Sequence, residues 1–117
     1  MNIEKPILID FPMPLTTKRL TIRPLRPGDG PKLFEAIDES RVSLRPWLGW
    51  VDNVKTWKDR ETNAQEFYAR FILRTKSTFL VLATDRLIGV CSYHDYNWRI
   101  PSSSIGYWCR ISEQGQG

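Results

Sequence analysis

The chain has 117 residues, enough for one domain or part of one. Its 41% hydrophobic residues suffice for a packed core, and its 26% charged residues are ordinary for a soluble protein. The net charge of +4 suits an anionic ligand or partner, but no Lys/Arg run reads as a nucleic-acid arm, two cysteines make no disulfide framework, and no stretch reaches the ~18 apolar residues of a membrane span.

Residues 1–14 carry Pro6, Pro12 and Pro14, which fix φ and remove donors, so an extended lead-in is expected there. No signal peptide opens the chain, and the expected location is the cytoplasm with reduced thiols. Thr17–Arg23 alternates polar and apolar residues and predicts one half-buried strand, ended by Pro24 and Pro27. Gly28-Asp29-Gly30-Pro31 reads as a helix start, with Asp29 capping the free N–H groups and Pro31 in the first turn. Leu33, Phe34, Ile37 and Leu44 follow on one stripe, and Pro46 ends the helix in an aromatic loop holding Trp47 and Trp50.

Thr56 with Asp59 three residues on is a capping-box start. Trp57, Ala64, Phe67, Tyr68, Phe71 and Ile72 then repeat at helical spacing, so a helix is predicted from about Thr56 to Arg74. Thr78–Ala83 and Leu87–Tyr93 are strand-like runs around the turn Thr84-Asp85-Arg86 and predict an antiparallel hairpin. Asn97–Ser103 reads as a loop, Ser104–Ile111 as the last strand, and Gln114-Gly115-Gln116-Gly117 as a Gly-rich turn. The order predicts an α+β fold, a mostly antiparallel sheet with two helices packed on it.

A strand running into a Gly-rich turn is a place where several backbone N–H groups can converge on a phosphate. His94 is the only histidine and suits a general base, against the plain reading of a surface imidazole; Glu35 and Glu113 are weaker candidates. Cys109 fits either an acyl-cysteine mechanism or a small buried thiol, and the second is the default.

Four stretches in this order resemble the N-terminal part of the GNAT N-acetyltransferases, more narrowly the RimJ/RimL ribosomal-protein branch. They are Leu15–Pro24, Ser43–Leu48 with Trp50, Leu87-Ile88-Gly89, and Ile105-Gly106-Tyr107-Trp108 leading into Gln114–Gly117. The resemblance implies a single GNAT-like domain over residues 15–117, incomplete before the C-terminal half of the fold. It implies acetyl-CoA as co-substrate, held by the backbone of Tyr107, Trp108, Cys109, Arg110 and Ile111 and by the turn Gln114, Gly115, Gln116 and Gly117. It further implies a primary amine as acceptor, either a protein N-terminus or a small molecule, with Trp47 and Trp50 over the acceptor site and His94 near it. No membrane and no nucleic-acid partner is expected; a homodimer is compatible. The alternative is a non-catalytic accessory domain that binds a peptide or protein through an exposed sheet edge.

Overall fold

The computed structural model describes residues 5–8, 13–97 and 102–114. Five strands form one antiparallel sheet in sequence order: β1 (Leu15–Thr16), β2 (Thr21–Pro24), β3 (Ser77–Ala83), β4 (Arg86–Asn97) and β5 (Ser102–Cys109). Two helices, α1 (Gly30–Leu44) and α2 (Trp57–Leu73), lie between β2 and β3 in the chain and pack on the sheet. This is the expected α+β architecture. No helix among the described residues is long and apolar enough to cross a membrane. Within the lead-in, Pro6–Leu8 forms a 3-10 turn.

The first expected strand is shorter than its alternating pattern, and another strand precedes it. Thr17 Oγ1 accepts from the N–H groups of Arg19 and Leu20; this side-chain turn takes residues 17–20 out of the predicted run Thr17–Arg23 and separates β1 from β2, which pair as Leu15↔Ile22 and Thr16↔Thr21. The last two strands also reach further than expected: β4 extends to Asn97 and β5 begins at Ser102.

Helix α1 begins where expected but is capped differently. The Asp29 side chain does not cap it. That carboxylate is buried and takes a two-pronged bond from the Arg23 guanidinium at 2.7 and 2.8 Å, plus the Arg26 N–H at 2.9 Å. The free amides of Gly28 and Gly30 donate instead to the Glu61 carboxylate on α2, at 2.9 Å for the shorter contact of each. A carboxylate at a helix N-terminus opposes the positive end of its dipole. Gly30 is required there, because a Cβ would sit 2.6 Å from Glu61 Cβ.

Helix α2 starts as the sequence predicts. The Asp59 carboxylate accepts from the N–H groups of Lys55 and Thr56, and burial is carried by Ala64 and Phe71. Trp57, Tyr68 and Ile72, expected on the inward stripe, are exposed. The inward stripe runs instead through Arg60, Asn63, Ala64, Phe67 and Phe71.

Two buried clusters hold the layers together. Leu33 and Ala36 of α1 and Ala64 of α2 meet Leu80, Leu82, Leu87 and Val90 of the sheet. Ile37 and Leu44 meet Val51 and Val54 of the α1–α2 connection. Trp108 of β5 packs against both clusters, so the last strand is fixed to each helix layer.

Candidate functional site

The face of β5 follows from its pleat. Trp108 turns toward the helices, and Arg110, two residues on, turns the same way beneath α1. Its side chain is 4% exposed, with Nε 2.6 Å from Glu39 Oε2, Nη2 2.7 Å from Glu35 Oε1 and Nη1 3.1 Å from the Leu87 carbonyl. These hydrogen bonds hold both glutamate carboxyls below their ordinary range. A carboxylate so stabilised is a weaker base, which counts against Glu35 as the general base. Glu113 is similarly engaged, 3.0 Å from Arg86 Nε.

The backbone of β5 alternates as well. The Arg110 N–H donates to the Ile88 carbonyl of β4 at 2.8 Å. In an antiparallel ladder every second residue exchanges bonds with one neighbour and the residues between them point the other way. Given the register Val90↔Trp108 and Ser92↔Gly106, the strand therefore uses Gly106, Trp108 and Arg110 to hold β4. It turns the polar backbone groups of Ile105, Tyr107 and Cys109 outward. The Cys109 carbonyl meets the Gln114 Nε2 amide at 3.2 Å. Among the described residues no strand pairs with β5 on that outer flank. The Tyr107 side chain, 80% exposed, stands on the opposite face from Trp108.

Not every residue of the expected cofactor set shares that outward direction. The amides of Arg110 and Ile111 are both used inside the chain, the second donating to Ser40 Oγ at 2.9 Å. These two residues anchor the end of β5 to β4 and α1. Gly115, Gln116 and Gly117 lie outside the described residues.

Beside β5 lies a cavity of about 660 Å³ between the sheet and the two helices. It brings together Trp50, His94, Tyr107 and Trp108, residues singled out in three separate stretches of the sequence. Trp47 is not among its lining residues and is 84% exposed. The floor is a cross-strand row, Thr78–Ser92–Gly106, set by the β3–β4–β5 register. Gly106 leaves room in it: a Cβ there would lie 3.4 Å from Ser92 Oγ and 3.6 Å from His94 Cε1.

Sequence reasoning missed Arg60, Phe67 and Thr78 as lining residues. A signal for Arg60 was present, a cation four residues before the core residue Ala64 on the inward face of a helix. Arg60 stacks over Trp50, its guanidinium carbon 5.1 Å from the ring centroid. Burial pushes its pKa down. The thiols of Cys91 and Cys109 are both pushed up by burial, Cys109 also by Glu113. A raised thiol pKa disfavours the nucleophilic thiolate, against an acyl-cysteine role. Among the described residues no group of His, Cys, Asp and Glu side chains could hold a metal ion.

Comparison with known proteins agrees with this geometry. The family model described as an acetyltransferase (GNAT) domain matches residues 19–117. The ribosomal-protein-serine acetyltransferase of Escherichia coli is 28% identical over 85 residues, which is 73% of this chain and 48% of that protein. Among solved structures, the ribosomal alpha-N-protein acetyltransferase RimL in complex with coenzyme A superposes with a TM-score of 0.82 at 21% identity, over 88% of this chain and 58% of that one. The Microcin C7 self immunity acetyltransferase MccE, in complex with acetyl-CoA and AMP, also gives 0.82 at 16% identity, over 86% of this chain and 56% of that one. The chain thus spans about half the length of the proteins it matches. It belongs to the GNAT family of acetyltransferases.

Proposed function

We propose that this chain carries the acceptor side and part of the cofactor side of an amine acetyltransferase of RimJ/RimL type, taking acetyl from acetyl-CoA to a primary amine. One observation carries the reading: the outward backbone of β5 at Tyr107 adjoins the cavity into which His94 and the space at Gly106 open. Family membership and relatives whose structures hold CoA or acetyl-CoA support it.

Acetyl-CoA would supply a thioester, whose carbonyl needs a fixed donor and whose arm needs an unpaired strand edge. The chain's own residues fit both needs. The outward Tyr107 N–H is a preorganised donor for a developing oxyanion. The edge formed by Ile105, Tyr107 and Cys109 can accept an extended arm in the manner of an added strand. Arg110, clamped by Glu35 and Glu39, fixes the height of that edge against α1 and is a positioning residue. The acceptor amine must be neutral to attack, and His94 on the floor of the cavity is the group we assign to take its proton.

Acetyl-CoA titrated into the 117-residue chain, and into any longer natural form of the protein, tests the reading through isothermal titration calorimetry. Saturable binding with acetylation of a tripeptide amide bearing a free N-terminus is expected, tighter in the longer form. Absence of acetyl-CoA binding in both forms would overturn it.

A further inference from the structure

The charged groups lining the cavity are of one sign. Arg60 and Arg70 come from α2 and Lys76 from the start of the segment that enters β3. Among the described lining residues there is no Asp or Glu. The two carboxylates that flank Arg60 on α2 are already engaged, Asp59 by the Lys55 and Thr56 amides and Glu61 by the Gly28 and Gly30 amides. A one-signed wall in a concave apolar setting focuses the field on whatever enters.

Two polar atoms in this wall lack a partner. Arg60 Nε is buried without a hydrogen bond, and so is Thr78 Oγ1. Thr78 is 5% exposed and lines the cavity. A buried donor without an acceptor is costly, and such atoms in a binding cavity mark where a ligand's polar group belongs. Stacking on Trp50 holds the Arg60 guanidinium plane. A fixed guanidinium with an idle Nε–H suits a planar or tetrahedral oxyanion.

Resting on the acetyltransferase reading above, we propose that the acceptor is an amine that also carries an oxyanion, a carboxylate or phosphate close to its amino group, received by Arg60 and Thr78. The amine itself lies toward the gap at Gly106 beside His94. Arg70 and Lys76 add long-range attraction at the mouth.

Four tripeptide amides of the form Ser-X-Ala, with X as Asp, phosphoserine, Asn or Lys, test this on the full chain by equilibrium binding and by acetylation with acetyl-CoA. The Asp or phosphoserine peptide should bind about tenfold more tightly than the Asn peptide, with the Lys peptide weakest. Whichever of the two anions binds more tightly identifies the source of the oxyanion. The preference should shrink in high salt. Arg60→Gln should reduce it to about twofold or less, and Arg60→Lys should restore part of it; circular dichroism melts of both variants check that they fold. Equal affinity of the wild-type chain for the Asp, phosphoserine and Asn peptides overturns the proposal. Equal acetylation of all four peptides does so while leaving the transferase reading in place. Charge-selective binding that Arg60→Gln abolishes, with no acetyl-CoA binding by this chain or a longer natural form, supports the anion site and sinks the transferase reading instead.

Discussion

Gly106 and Thr78 show how much of the cavity is decided by single side chains. Gly106→Val introduces a residue that strands favour. Its branched methyls would fill the space next to Ser92 and His94 that the glycine leaves. The expected outcome is an unchanged melting temperature within a few degrees and a rise of about tenfold in KM for the amine, a loss of about 1.4 kcal/mol in acceptor binding. Steady-state kinetics with amine and acetyl-CoA varied separately checks it, since KM for acetyl-CoA should stay near its starting value. At this scale the sequence was partly legible. Trp50, His94, Tyr107 and Trp108 could be named from it because aromatic, His and Gly-adjacent positions stand out in a strand or loop. Arg60 offered only its spacing from Ala64 and Thr78 offered nothing, because a charged residue on a helix and a threonine in a strand are ordinary until the fold buries them.

Elements are joined here by side chains borrowed from other elements. Glu61 of α2 receives the amides of Gly28 and Gly30 at the start of α1, so Glu61→Ala should loosen both helices. A cost of about 1 kcal/mol is expected from the lost cap, read as a lower urea midpoint with unchanged slope. The β3–β4 hairpin turns on Thr84 and Asp85, with φ of 50° and 62°. Both values lie in the left-handed region that a type I′ turn requires and that a β-branched residue resists. Thr84→Asn should therefore stabilise the protein by about 1 kcal/mol, visible as a higher melting temperature. Capping at Thr56 and the β3–β4 hairpin were legible in the sequence, since each is a local pattern. The Asp29 cap was misread because its carboxylate had a better partner in Arg23, six residues away in sequence but adjacent across the start of α1. The late start of β2 at Thr21 escaped for a similar reason: the period-two pattern of Thr17–Arg23 continues straight through a turn made by one threonine hydroxyl.

At the scale of the whole molecule, five carboxylates spread over both helices and the connection between them are held in their charged form. Glu35 and Glu39 by Arg110, Glu61 by the Gly28 and Gly30 amides, Asp52 by Arg45, and Asp59 by the Thr56 and Lys55 amides all have lowered pKa values. A group whose pKa is lower folded than unfolded binds fewer protons when folded, so stability rises with pH across the interval between the two values. The stabilisation is complete above the ordinary values of 4.5 for Glu and 3.8 for Asp, and is lost as the pH falls through the lowered ones. Urea midpoints should accordingly be flat above about pH 5.5 and fall steeply below about pH 4. Salt should flatten that fall, because most of these carboxylates are solvent-exposed. The order of strands and helices was legible in the sequence at this scale. The assembly of the cavity was not, because the Thr78–Ser92–Gly106 row exists only once the register between three strands is set, and a one-residue slip would turn each of those side chains to the other face.

The outward flank of β5 works as a ruler. Its polar groups recur only at every second residue, at Ile105, Tyr107 and Cys109, with the Cys109 carbonyl already occupied by Gln114. The graduations are therefore about 6.8 Å apart, twice the rise of an antiparallel strand. An elongated guest whose amides repeat at that interval docks at two marks without bending either chain. One with closer spacing engages a single mark and swings about it.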